Sequence, residues 1–314
     1  MTDRTATLWA FCICIPLALT AVSAVCAQPE EPKTVAEVYM GLSSGPLAQA
    51  VVVDLPDGLA MHAGDDITIT RARVAEAIAA EPLDKSKRTL LEAEAFYVLE
   101  TLAVEPLMTS EARRWAAQQP GNPAGSGDAL IDSYLDHIAD QVTVDEDDAR
   151  AFYDENEGMF GGQSFESVKD ALVPFVLQQK QQDAVRAHIG SLSSRTPVKV
   201  DAAFLAQVAP KALASVVDQA RRSGRPSFVD FGADGCQACE MMKPIIGELE
   251  QTHGERANVL MVQVREQPYL SSRYGVRAIP VQVIFDAEGK EVYRHTGFLA
   301  KDRILEHLGT AGVE

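Results

Sequence analysis

The chain has 314 residues, 46% of them hydrophobic, and a formal net charge of −17 at pH 7. That length leaves room for two domains, each with its own core. The acidic balance excludes a nucleic-acid binder and argues against adhesion of the soluble part to anionic lipid, since both need a basic face.

Residues 1–27 read as an export signal, with Arg4 near the start and an apolar run from Leu8 to Val25. Val25-Cys26-Ala27 then offers small residues before Gln28, a cleavage point. Two alternatives stay open: an uncleaved anchor of about 18 apolar residues over 8–25, or a lipid tether on Cys26. Residues 28–57 read as a linker or extended segment ending in Val51-Val-Val-Asp-Leu-Pro.

Two short strands are expected about an Asp/Gly turn at Gly64–Asp66, followed by a helix over Arg71–Ala80 capped by Thr70. Asp84 can cap a long helix with Leu91, Ala95, Val98 and Leu102 as its apolar stripe. The segment Pro120–Gly127 is proline- and glycine-rich and reads as a loop. Helical spacing resumes at Leu130, Tyr134, Leu135 and Ile138, and an acidic helix is expected from Asp145 to about Asn156. Asp145, Glu146 and Asp147 suit a helix N-terminus; a calcium loop would need a central glycine and a closing glutamate that this spacing lacks. A long helix starts at Ser164, and Pro174 is expected to bend or split it. Pro197-Val-Lys-Val reads as a strand.

From Phe204 the pattern changes to a helix over Pro210–Arg222, a buried strand at Ser227–Phe231 and a helix over Cys236–Thr252. A strand at Asn258–Val264, a short helix near Pro268–Tyr274, strands at Val281–Phe285 and Glu291–His295, and a helix over 300–308 complete it. This succession implies a mixed α/β sheet covered by helices on both faces.

The chemistry is concentrated in Cys236-Gln-Ala-Cys239. Two thiols two residues apart can close to a disulfide and reopen, and the first lies where helix amides and dipole favour a thiolate, the species that attacks disulfides. Cys12, Cys14 and Cys26 all fall in the signal, so cleavage leaves this one pair, unlike a scaffold stapled by several disulfides. No metal is expected, because zinc needs two more ligands and His253 and His295 lack the spacing.

With Val229-Asp230-Phe231, the cysteine pair, Tyr274-Gly275-Val276-Arg277-Ala278-Ile279-Pro280 and Gly297, the region 204–314 resembles thioredoxin. The resemblance implies an α/β thioredoxin-like fold and exchange of disulfides in protein substrates. It implies that Cys236 attacks, that Cys239 resolves within a redox-active Cys236–Cys239 disulfide, and that Asp230 is a buried proton acceptor. It also implies that Ile279 and cis-Pro280 dock the substrate. A buried carboxylate does bind protons near neutral pH, which suits that role. No cofactor is implied, and electrons would pass to a redox partner protein.

The departures lie at the dithiol. The tryptophan and proline of thioredoxin's active-site segment are absent, Glu240 stands where a cation is usual and should disfavour the thiolate, and Met261 replaces a lysine near the buried acid. Direction of electron flow is therefore left open.

Residues 58–200 resemble the helical chaperone domain of the SurA/PpiD class of periplasmic parvulin-type foldases. The carrying segments are Gly64-Asp-Asp-Ile-Thr-Ile-Thr, Val142-Thr-Val-Asp-Glu-Asp-Asp-Ala-Arg-Ala-Phe-Tyr and Phe165-Glu-Ser-Val-Lys-Asp. Where that class inserts a parvulin module this chain has only Gly158-Met-Phe-Gly-Gly-Gln, so no prolyl isomerase activity is expected. The expectation is an exported, periplasmic thiol–disulfide oxidoreductase whose mostly α-helical domain holds substrate. The rivals are a non-enzymatic chaperone and a membrane-tethered specific reductase.

Overall fold

A computed structural model describes residues 32–119, 127–156 and 160–313. The expected export signal, most of the Pro120–Gly127 loop and the start of the 158–163 connection lie outside them.

Residues 34–53, read above as part of an extended linker, are packed. Helix α1 (Val35–Val38) opens with a capping box in which Thr34 and Glu37 each bond the other's backbone amide. Val35, Leu42, Leu47 and Ala50 behind it are fully buried. Strand β1 (Val51–Val53) is followed by the hairpin β2 (Leu59–Ala63) and β3 (Ile67–Thr70), which turns at Gly64 as expected. Thr70 caps α2 (Arg71–Ala80), its hydroxyl accepting from the Arg73 amide.

The single helix expected after Asp84 is two helices, α3 (Lys85–Ala93) and α4 (Ala95–Ala116), broken at Glu94. At the break the Glu94 carboxylate pairs with Arg273, far along the chain, at 2.8 Å. A helical arm follows: α5 (Asp128–Ala139), α6 (Glu146–Glu155) and α7 (Phe165–Gly190). Asp145 opens α6 with a reciprocal capping box to Asp148, the helix start that the acidic run suggested. Helix α7 runs through Pro174 as one helix, so of the two expected outcomes the split does not occur. Leu172 and Val176, on either side of the proline, are buried in the small core shared with α6, which holds both flanks in line.

After α8 (Leu192–Arg195), strand β4 (Val198–Asp201) returns between β1 and β2, giving the sheet order β1-β4-β2-β3. The N-terminal half is thus largely helical with a small mixed sheet at its base. The helix expected over Pro210–Arg222 is instead α9 (Ala202–Ala212) and α10 (Val216–Arg221). Asp201 caps the first, accepting from the Phe204 amide at 2.7 Å, and Ser215 caps the second, accepting from Asp218 at 3.1 Å. Phe204, Leu205 and Val208 of α9 pack into the first core, so that core extends past residue 204, where the second domain was expected to begin.

The C-terminal half contains β5 (Ser227–Gly232), α11 (Gln237–His253), β6 (Asn258–Gln263), α12 (Pro268–Arg273), β7 (Val281–Phe285), β8 (Glu291–Thr296) and α13 (Lys301–Thr310). The sheet order is β6-β5-β7-β8, with β5 parallel to β6 and the other pairs antiparallel. Strand β5 is buried on both faces, as its continuous apolar run requires. Period-2 alternation sends Phe228 and Ile284 toward α11 and α13, and Val229, Phe231 and Val283 toward α10 and α12. This is the mixed sheet flanked by helices that the sequence pattern implied.

One buried ionic cluster joins the two halves. Arg273 meets Asp218 at 2.5 Å and Glu94 at 2.8 Å, and it donates to the Gly41 and Ala212 carbonyls. The Tyr274 hydroxyl donates to Asp218 at 2.8 Å.

Candidate active site

The chain leaves β5 at Gly232 and enters α11 through Gly235, whose φ of +80° lies in the left-handed region that a bulky residue resists. Cys236 is the N-cap of α11, with its Sγ 3.3 Å from the Cys239 amide. One helical turn brings the two cysteines to a Cα separation of 5.2 Å, and they form a disulfide. Their exposures differ sharply: Cys239 is 0% exposed, whereas Cys236 is partly open to solvent.

Ile279–Pro280 is a cis peptide bond, as the resemblance implied. The Ile279 carbonyl lies 3.9 Å from Cys236 Sγ, and the Pro280 carbonyl accepts from Gly297 at 2.8 Å. The first contact places the backbone of this loop beside the exposed sulfur. The second ties the loop to the end of β8, so the 274–280 segment and Gly297 act on one spot.

Asp230 is fully buried on β5, directly across the ladder from Gln282 on β7. The Gln282 amide donates to Asp230 Oδ1 at 2.8 Å, while Oδ2 has no hydrogen-bond partner among the described residues. Burial pushes the carboxyl up to about 6, opposed only by that one hydrogen bond. Gly232 sits between this acid and Cys239: a Cβ there would stand 3.1 Å from Asp230 Oδ2 and 3.5 Å from Cys239 Sγ. Any side chain at residue 232 would therefore fill the gap through which the acid and the buried sulfur face each other.

Two features were not foreseen from the sequence. Gln282, the cross-strand partner of Asp230, is placed by the β5–β7 register, which no local signal encodes. Lys243, one turn past Glu240, bonds both Glu240 and Asp234 at 2.8 Å. It thereby offsets the acids that flank the dithiol in the chain, including the one expected to disfavour a thiolate. The three-residue spacing of Glu240 and Lys243 on one helix is the signal in the sequence that points to it. Among the described residues no group of His, Cys, Asp and Glu is arranged to hold a metal ion.

A family model described as a thioredoxin-like domain matches residues 213–312. The thioredoxin of Alicyclobacillus acidocaldarius is 31% identical over 90 residues, which make up 29% of this chain and 85% of that protein. That of Rickettsia bellii is 32% identical over 94 residues, 30% of this chain and 89% of its own. A solved structure of a mutant thioredoxin from Halobacterium salinarum shares 30% identity, covering 31% of this chain and 83% of that one at a TM-score of 0.29. A buried and a partly open cysteine at a helix start, a cis-proline loop beside them and a buried acid behind them stand on the mixed sheet. Through its C-terminal region, the chain belongs to the thioredoxin family.

Proposed function

We propose that this protein is an exported thiol–disulfide oxidoreductase acting on protein disulfides through Cys236 and Cys239. The observation that carries this reading is the asymmetry of the pair, one cysteine partly open beside the cis-proline loop and one buried across Gly232 from Asp230.

In the reducing direction Cys236, as thiolate, attacks one sulfur of a substrate disulfide. A bond forms between Cys236 Sγ and that sulfur, and the second substrate sulfur leaves as a thiolate and takes a proton from solvent. Asp230 then accepts the Cys239 proton. The new thiolate attacks Cys236 Sγ, closing the Cys236–Cys239 disulfide and releasing the first substrate sulfur. Two electrons have passed to the substrate, and the reverse sequence donates a disulfide. The helix N-terminus, the Cys239 amide and the neutralising Lys243 support a thiolate at Cys236. Ile279 and Pro280 dock the substrate backbone next to it. A second protein dithiol restores the pair, and no cofactor enters the cycle.

The N-terminal half serves in this reading as a SurA/PpiD-like holder of substrate, without isomerase activity. A tethered holder raises the effective concentration of substrate at the dithiol. Residues 1–27 direct the chain to the periplasm, where they are cleaved or kept as a tether; mass spectrometry of the N-terminus of fractionated protein distinguishes the outcomes.

The direct test is reduction of insulin by the dithiol form, together with capture of a mixed disulfide by Cys239→Ser. Absence of both, with reduced and folded protein, removes the enzymatic reading and leaves a binding module. The potential of the pair sets direction: about −270 mV marks a reductant and about −120 mV an oxidant.

A further inference from the structure

Asp230 belongs to a row of register partners that crosses the C-terminal sheet. On β6 its partner is Met261, and on β7 it is Gln282, which in turn faces His295 on β8. Met261 brings neither a hydrogen-bond donor nor a charge to the acid. Gln282 is 0% exposed and donates to Asp230 Oδ1 at 2.8 Å.

Two features separate this glutamine from a residue that merely fills the core. Its amide oxygen is buried and has no hydrogen-bond partner among the described residues. A half-satisfied amide weakens a core in which an apolar side chain of the same length would pack without that loss. Packing therefore does not account for Gln282, and the bond to the acid does. The donor is also held firmly. It stands two residues after Pro280, on a strand whose pairing sets Val281 against Phe231 and Val283 against Val229 on either side of it.

We propose that Gln282 is a positioning residue for the exchange reaction, its amide holding Asp230 by Oδ1 so that the bare Oδ2 is the oxygen presented to Cys239. The proposal rests on the oxidoreductase reading and names a further residue of that site. An aspartate carboxyl turns easily about its last bond, so its plane is set by whatever engages one oxygen. With Oδ1 engaged, Oδ2 is left at the gap by Gly232 that Cys239 Sγ also borders. When the Cys239 proton reaches Oδ2, Oδ1 still accepts from the amide. That bond is stronger to the charged form, so Gln282 also favours the ionised acid that resolution needs.

No other ionisable group shares the task. From α11 the acid meets Cys239, while Lys243 of that helix is tied to Asp234 and Glu240. His295, beyond Gln282, contacts the Phe298 carbonyl at 3.2 Å, and burial lowers its affinity for a proton. Burial raises the proton affinity of Asp230 and the Gln282 bond opposes it.

Gln282→Met keeps the length of the side chain and removes the donor. Carbon-13 NMR of the oxidised full chain, labelled at aspartate and assigned with Asp230→Asn, reads the Asp230 titration. Its midpoint is expected to rise by about one pH unit in Gln282→Met. A second readout needs no variant: in the wild-type chain the Gln282 side-chain amide protons should titrate with the same midpoint as the Asp230 carboxyl. In the reduced chain, a thiol held on Cys236 as a mixed disulfide formed at low pH is released by a pH jump. Gln282→Met should slow that release about fivefold at about pH 6 and leave it equal to wild type above about pH 8. An Asp230 midpoint equal in both chains, or Gln282 amide protons that do not titrate, overturns the proposal. A release profile whose plateau falls while its midpoint stays in place also overturns it, since that is the effect of a purely structural residue. A shifted Asp230 midpoint with no thiol release in either chain supports the positioning of the acid and strikes the redox reading alone.

Discussion

Each half of the molecule buries a carboxylate beneath its own sheet or helix layer, and the two are treated differently. Glu100 on α4 receives the Ser43 hydroxyl and the Leu47 amide, at 3.2 Å for the latter, and so fastens the N-terminal segment to the helix core. Asp230 on β5 receives one amide, and its second oxygen faces the gap beside Cys239. Burial raises both acids, Glu100 to about 7 and Asp230 to about 6. Raised proton affinity is therefore common to both halves and does not by itself mark chemistry. What separates them is the bare oxygen and the neighbouring cysteine: the first acid is a clamp, and the second is placed for the proton-acceptor role proposed above.

The largest expected effect is that of Cys236→Ser, which should reduce insulin turnover to the uncatalysed rate while leaving the fold intact; residual enzymatic turnover would move the chemistry out of the C-terminal half. Next is Arg273→Ala, which strikes the cluster shared by both halves. It leaves Glu94 and Asp218 buried without their cation and should cost about 3–5 kcal/mol in urea unfolding.

The two acids can then be compared directly. A carboxyl raised in the folded state holds its proton more tightly there than in the unfolded chain. Its ionisation penalty is thus absent below the unfolded value and fully present above the folded one. Asp230→Asn should therefore leave stability unchanged below about pH 4 and raise it above about pH 6, by up to about 3 kcal/mol, at 1.36 kcal/mol per unit. It should also slow resolution of the mixed disulfide about a hundredfold at neutral pH. Glu100→Gln should repeat the stability gain, complete only above about pH 7, with no change in exchange rate. Equal loss of exchange in both variants would erase the distinction drawn here. The smallest effect is expected from Lys243→Gln, which frees two exposed acids near the reactive sulfur. Iodoacetamide reactivity of Cys236 at neutral pH should fall, but by less than about tenfold, as suits a solvated ion pair.

Local signals in the sequence located most of the elements. Thr70, Asp84 and Asp145 cap the helices they were expected to cap, because a side chain reaches an amide three residues on whatever the rest of the fold does. Strand β7 starts and ends where its apolar run does. Three helices resisted the same reading. The break at Glu94 coincides with its ion pair to Arg273, α7 continues through Pro174 while packed on α6, and α9 and α10 divide with caps at Asp201 and Ser215. Distant partners meet the chain at the first two, while the last was locally encoded but masked by the longer apolar pattern.

The same division holds at the site. The sequence by itself determined the dithiol and its place at a helix start, because these depend on residue type and short spacing; the acid and the proline near it followed from the resemblance to thioredoxin. Only the tertiary structure decided which cysteine is partly open, which amide holds Asp230 and which lysine offsets Glu240 and Asp234. Those outcomes depend on strand register and on burial between segments far apart in the chain, where the energies are large but no local pattern records the partner.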